Sequence, residues 1–355
     1  RSRDELPGLP YTGTAIEIVL DGQVAVRVGQ IDFLPESLAK IGLKGAGEVS
    51  LSHVSFRGGP RPRPEYVRTG IWQKSIKPTT AQNVDSLIEG ARQAAEAGVR
   101  ILLTPETSLT GLRSFDEQEM CDDSVTQSEL RRFQKTVSRI KNAPYTLVGY
   151  PDWIPGSKVE GSTLERVRVN CHRFVRPDGT LGWPMAKVHV CEEGMWHGRN
   201  YNCQRVAGVE IAMGVCHDAR CPDVWATGVM AGARLCLHPV SAGKLSGNIP
   251  AIVNGYAGLG RDLDAFWMTV NAGGGGAIVY PNANRKVPNT VLAVSGDLTR
   301  SNPTHPNYEP MQDSLGHARL RLWDATGCYP LRTLRAGRKA YRHWSALMPK
   351  VRDIG

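Results

Sequence analysis

The sequence predicts an α/β protein, and three observations carry that prediction. Strand-like and helix-like stretches alternate along most of its 355 residues. The run VRILLT (residues 99–104) is apolar without alternation, as a strand must be when helices or a second sheet cover both of its faces. The long stretch GVEIAMGVCHDARCPDVWATGVMAGARLCLHP (208–239) reads as strand, sharp turn, helix, strand. Hairpin signals between these units argue for mixed rather than purely parallel sheets.

The elements follow in order. Residues 1–64 form an accessory β-rich segment, with strand-like runs TAIEIVL, QVAVRVGQIDF and EVSLSHVSF between Gly and Asp turns, closed by the linker-like RGGPRPRPE. VRTGIWQKSI then reads as a strand and TTAQNVDSLIEGARQAAEAG as a helix. Val84, Leu87, Ile88, Ala91 and Ala95 share one face of it, with Thr80 expected to cap its start and Gly98 its end. After VRILLT come a polar-faced helix (QSELRRFQKTVSRIKN), a strand (YTLVGYPDW) and a hairpin, RVRVNCHRFVRPDGTLGWPMAKVHV, turning at Pro-Asp-Gly. VNGYAGLGRDLDAFWMTVNAGG supplies a helix and a strand, and GAIVYPN, TVLAVSGDL and ARLRLWDA further strands.

Composition narrows the function classes. A 41% hydrophobic content with charges spread throughout suits a globular protein, and no apolar run approaches the roughly 20 residues that span a bilayer. The start, RSRDELPGLP, lacks a signal-peptide apolar segment, and a first residue other than Met suggests a trimmed chain or a piece of a longer one. Eight scattered cysteines are expected to be free thiols of a cytoplasmic protein. His189, Cys191, His197 and Cys203 lie close in sequence without a CxxC pair or regular ligand spacing, so no metal site is expected. From residue 311 onward nine Arg or Lys face three Asp, so this end carries +6 of the +9 net charge. Aromatic residues interleave with those cations, which makes nucleic acid a possible partner, although a solvated or subunit-facing tail is the preferred reading.

Three residues at strand ends stand out chemically: Glu106, Lys187 and Cys216. A thiol with an ordinary pKa of about 8.5 needs a base to attack a carbonyl or nitrile carbon at neutral pH. A carboxylate can take that proton, and an ammonium can stabilise the negative charge that develops. The backbone N–H of His217, at the strand-to-helix turn, is a further donor. Taken singly, each has a plainer reading: a solvated strand end, a surface cation and a buried small side chain.

Three motifs in order change that balance. LLTPETSLTG, GTLGWPMAKVHV and GVCHDARCPDVWATGVMAGARLCLHP resemble the glutamate, lysine and cysteine motifs of the nitrilase superfamily of carbon-nitrogen hydrolases. The resemblance runs from about Tyr66 to about Arg338, which sets a hydrolase domain at 65–338 and a basic tail at 339–355. It implies a four-layer αββα sandwich behind the short β-rich N-terminal extension, assembled into homo-oligomers. It implies Glu106 as general base and acid, Lys187 as electrostatic stabiliser and Cys216 as the nucleophile that forms a thioester, with no cofactor. Glu193 stands early for the family's additional glutamate, and His217 and Cys221 depart from common residues at their positions. CHDARCP is nearer to the amidase and carbamoylase form than to that of true nitrilases, so the expected substrate is a small linear amide or N-carbamoyl compound. Asp218 and Arg220 are expected to brace the turn as an ion pair, and Asn271 with AGGGG to shape the pocket. The alternative is a nitrilase-like module of a larger assembly, as in ammonia-requiring synthetases and bacterial reverse-transcriptase defence proteins, with basic surface touching nucleic acid or a partner.

Overall fold

Along β5 (Ile101–Leu103) the side chains of Ile101 and Leu103 enter one apolar cluster and Leu102 another, so a three-residue run serves two cores. The same alternation runs through the other sheet. Leu235 and Leu237 face one cluster and Cys236 the other, as do Phe266 and Met268 against Trp267. Strands buried on both faces have no polar side to show, which is why the sequence lacks alternation at these places.

These observations come from a computed structural model, which describes residues 14–20, 23–31, 56–57, 64–111, 123–155, 165–191, 195–198, 202–230, 233–241, 263–272, 275–281, 291–295 and 313–325. One six-stranded mixed sheet has the order β15-β4-β5-β6-β7-β8: β4 is Tyr66–Gln73, β6 Tyr145–Pro155, β7 Arg166–Val175, β8 Met185–Ala186 and β15 Ser314–Arg321. The other has the order β14-β13-β12-β11-β10-β9: β9 is Asn202–Val206, β10 Val209–Met213, β11 Leu235–Val240, β12 Phe266–Asn271, β13 Gly276–Val279 and β14 Val291–Ser295. Ile71, Ile101, Leu103 and Leu147 of the first sheet share a cluster with Ile211, Met213, Leu237 and Met268 of the second, so the sheets pack face to face. Gln73 Nε2 donates to the Asn271 carbonyl at 2.7 Å and ties β4 to β12 across that interface.

Helices cover the outer faces. α1 (Thr80–Glu96) and α2 (Asp123–Val137) bury Val84, Leu87, Ala91, Leu130 and Phe133 against Trp72, Leu102 and Val148. α3 (Pro222–Met230) buries Trp225 and Val229 against Ala212, Cys236 and Trp267 of the second sheet. Three apolar interfaces thus hold four layers, the αββα sandwich expected. Arg132 clamps the two helices of one layer, donating to Asp85 at 2.7 Å and to the Ala81 carbonyl at 2.8 Å.

Several local expectations shift. Thr79 caps α1, its hydroxyl accepting from the Gln82 N–H at 3.2 Å, and Thr80 is the first helical residue. Ala94, not Ala95, completes the buried face. Gly98, at φ 69°, follows the helix end, where a left-handed residue costs glycine little. α2 starts one turn earlier than its polar face suggested and ends at Val137. The sequence reading missed β9, which pairs antiparallel with β10 through Ala207 and Gly208, both at positive φ, 51° and 81°. An Ala-Gly hairpin lacks the Asn or Asp that usually signals such a turn. Most of the helix expected before β12 falls on residues outside those described.

In the N-terminal segment β1 (Thr14–Leu20), β2 (Gln23–Ile31) and β3 (Phe56–Arg57) form a three-stranded sheet in the order β2-β1-β3, separate from the other two sheets among the described residues. Most of the expected third strand and the linker lie outside the described residues. Of the basic C-terminal stretch, Arg319 and Arg321 stand on β15, which pairs with β4, and residues 326–355 are not described. No helix among the described residues is long and apolar enough to cross a membrane.

Leu103 tests the face-to-face core. Leu103→Ala should cost about 2–5 kcal/mol in chemical denaturation with an unchanged denaturant slope. A loss below about 1 kcal/mol would place Leu103 outside a packed interior.

Candidate active site

Each sheet delivers its part of the site at a strand exit. Glu106 leaves the first sheet after β5 and is 1% exposed. Its loop is held by hydrogen bonds that begin two residues earlier: the Thr104 hydroxyl donates to the Leu147 carbonyl at 2.6 Å and accepts from the Ser108 hydroxyl at 2.7 Å. Ser108 Oγ accepts from the Gly149 N–H at 3.1 Å, and the Ser108 carbonyl accepts from the buried Lys74 amine at 3.0 Å. Gly149 is required here, since a Cβ would lie 2.7 Å from the Thr107 nitrogen and 2.5 Å from His172 Nε2. Burial and the Lys187 charge hold the His172 imidazole down to about 3, so it is neutral at ordinary pH.

Lys187 follows β8 and is fully buried. Its backbone N–H donates to the Asn170 carbonyl at 2.9 Å and its carbonyl accepts from Gly198 at 2.7 Å, which fixes the stem. Its ammonium lies 3.3 Å from Glu106 Oε1 and 3.8 Å from Cys191 Sγ. Asn170, on β7, donates through Nδ2 to the same Glu106 oxygen at 2.7 Å. From the second sheet, the Ser241 N–H just past β11 donates to Glu106 Oε2 at 3.0 Å.

Cys216 opens a 3-10 turn, Cys216–Arg220, directly beyond β10. Its φ of 46° is an uncommon conformation for a residue with a side chain and turns the thiol out of the strand direction. The Glu106 carboxylate and the Ser241 N–H both act on the thiol, the carboxylate raising its pKa and the N–H lowering it. Burial first, and the Glu106 charge next, push it up to about 12, against an opposing pull from Lys187. The resting thiol is therefore protonated and set against a carboxylate.

The expected residues are distributed as follows. Glu106 and Lys187 come together from the first sheet and Cys216 joins them from the second, although the three lie far apart in sequence. His217 is the second residue of the turn and half-buried. Glu193 falls outside the described residues. The Asp218–Arg220 pair does not form: Arg220 is exposed, while buried Asp218 accepts N–H groups of Val215 at 2.9 Å, His189 at 2.7 Å and Val188 at 3.2 Å. Asp218 thereby pins the chain after Lys187 to the turn that carries Cys216. Even with these donors, burial raises its carboxyl above the usual range. Asn271 is buried at the end of β12, its carbonyl taken by Gln73. The His/Cys set is dispersed: Cys203 packs under α3, and His197 Nδ1 faces the Val188 carbonyl at 3.0 Å. Among the described residues no group of three or more His, Cys, Asp or Glu is placed to hold a metal.

Asn170, Ser241 and His238 were missed. His238 had a signal, a polar residue inside a run that is otherwise apolar buried strand, whereas Asn170 stands in a strand that also carries Arg and His and had little. Ser241 acts through its backbone N–H and had none.

The family model for carbon-nitrogen hydrolases matches residues 68–250, more than half the chain and the whole of this site. The chain belongs to the carbon-nitrogen hydrolase family. Solved structures agree on the fold. An amidase from Nesterenkonia sp. superposes with a TM-score of 0.57 at 18% identity, covering 80% of this chain and 98% of that one. A variant of that amidase in complex with acrylamide gives a TM-score of 0.57 at 18% identity over 81% of this chain and all of that one. Another, with the same TM-score, identity and coverage, carries the acetamide moiety of fluoroacetamide on its active-site cysteine. A search of curated proteins found no match. This carbon-nitrogen hydrolase therefore sets a carboxylate, an ammonium and a thiol where its two sheets meet.

Two measurements test this geometry. Alkylation of Cys216 by iodoacetamide should rise steadily with pH through about 9, and Glu106→Gln, which removes the charge that raises the thiol, should speed it at about pH 8. A plateau below pH 8 in the unmodified protein would contradict the protonated thiol. Lys187→Met should lose about 3–5 kcal/mol in denaturant titrations by stranding a buried carboxylate, and adding Glu106→Gln should recover part of the loss. Additive losses would mean the two groups do not interact.

Proposed function

We propose that this chain hydrolyses a non-peptide C–N bond in a small linear amide or N-carbamoyl compound through a thioester on Cys216. One observation carries the proposal: the Lys187 ammonium contacts the Glu106 carboxylate, and the charges of both act on the Cys216 thiol.

The chemistry follows from the protonated thiol. As sulfur bonds to the carbonyl carbon, its proton passes to Glu106 and the carbonyl π pair moves to oxygen. The Lys187 ammonium, already desolvated, meets that developing charge without reorganising. Glu106, now a carboxylic acid, protonates the departing nitrogen; the C–N bond breaks and ammonia or an amine leaves. Water then gives a proton to Glu106 and its oxygen to the thioester carbon. The C–S bond breaks, sulfur recovers the proton, and a carboxylic acid is released. Asn170 and Ser241 hold Glu106 from both sides, so its two oxygens keep their places while its charge changes.

CHDARCP and the amides seen in the Nesterenkonia amidase favour amide over nitrile substrates. The test is ammonia release from a panel of small amides, N-carbamoyl amino acids and nitriles, with intact-protein mass spectrometry in parallel. Ammonia from an amide or carbamoyl compound, an acyl-sized adduct, and loss of both in Cys216→Ala are expected. The same ammonia release from Cys216→Ala would remove the thiol from the reaction.

A further inference from the structure

His238 is a fully buried imidazole on β11 that the cycle above does not use. Its Nε2 lies 3.0 Å from the Cys216 carbonyl and its Nδ1 lies 3.1 Å from the Thr269 hydroxyl. A carbonyl can only accept, so Nε2 carries the proton; in the neutral ring Nδ1 then accepts from Thr269. Burial holds the ring down to about 4, which keeps that neutral form at ordinary pH. Trp225 of α3 and Trp267 of β12 flank the imidazole with ring centroids 5.8 and 5.7 Å away, so it has little freedom to turn.

The partner of this bond is the peptide joining Cys216 to His217. In a trans peptide the C=O and N–H point in opposite directions. His238 takes the carbonyl toward the α3 side of the second sheet, where Trp225 and Trp267 pack, while Cys216 packs against the cluster between the sheets. The His217 N–H is therefore directed away from the α3 layer, to the side where the thiol meets Glu106 and Lys187. A hydrogen bond to the carbonyl also polarises the amide and strengthens its N–H as a donor.

We infer that His238 is a positioning residue: by gripping the Cys216 carbonyl it aims and polarises the His217 N–H as the second donor to the oxyanion. This rests on the acyl-transfer reading of the site. His238 touches no substrate atom and acts only through the Cys216–His217 peptide.

The test separates a step that forms an oxyanion from one that does not. Acylation by p-nitrophenyl acetate passes through a tetrahedral oxyanion, whereas alkylation by iodoacetamide is a displacement at saturated carbon. His238→Phe keeps a ring between the tryptophans and removes both nitrogens; His238→Gln offers an amide N–H in place of Nε2. Acyl-enzyme formation should fall at least about 10-fold in His238→Phe and recover most of that in His238→Gln, with alkylation of Cys216 within about 3-fold in both. Equal losses of acylation and alkylation, or no loss in either, overturn the inference. No acylation of the unmodified protein despite normal alkylation would instead remove the acyl-transfer reading. Nitrogen-15 spectra of the unmodified protein, which need no variant to fold, should show His238 as the neutral Nε2–H tautomer between about pH 5 and pH 8. An Nδ1–H or doubly protonated ring there would also overturn it.

Discussion

An ammonium and a carboxylate, both out of water, meet at 3.3 Å between two sheets, and the rest of the centre is arranged around the cost of putting them there. Burying either ion alone would cost several kcal/mol, and their attraction offsets this only if the remaining lone pairs and protons are also satisfied. Glu106 meets that condition with Asn170 Nδ2 from β7 and the Ser241 N–H from beyond β11. The donors come from opposite sheets, so the carboxylate is held only when the sandwich is closed. The pair is thus a consequence of the fold more than a source of its stability, which the three apolar interfaces supply.

The same low-polarity setting explains the thiol. A cysteine beside a lysine in water would be expected to ionise readily. Here burial and the carboxylate outweigh the lysine, and Cys216 keeps its proton. The proposed base therefore acts on a thiol that still carries the proton it is to take. Lys187, relieved of the task of creating a thiolate, is available for the charge that forms on the substrate.

Positioning is concentrated in backbone hydrogen bonds around two sharp exits. Asp218 draws together the N–H groups of Val188, His189 and Val215, and so couples the chain after Lys187 to the Cys216 turn. His238 grips the same turn from the α3 side. Thr104, Ser108 and Gly149 do the equivalent for the loop of Glu106. Residues outside the carboxylate, ammonium and thiol thus decide where the proposed reacting groups stand.

The sequence by itself determined the class of fold, most strand positions, and Glu106, Lys187 and Cys216 as residues worth uniting, because these rest on local information. Apolar runs mark strands buried on both faces, the spacing of Val84, Leu87, Ile88 and Ala91 marks a helix face, and the three motifs are each contiguous. The edges were less legible. β9 was hidden because Ala207 and Gly208 turn the chain without a strong turn signal, and α1 begins at the threonine chosen to cap it, the cap being its neighbour Thr79. Only the tertiary structure decided that Asp218 serves three backbone N–H groups instead of Arg220, and that Asn170 and Ser241, 64 and 135 residues from Glu106, complete its shell. It alone set Cys216 in a place where the thiol stays protonated. Each of these depends on which strand exits become neighbours when two sheets stack, and on how much water leaves with them, neither of which is written in any one stretch of chain.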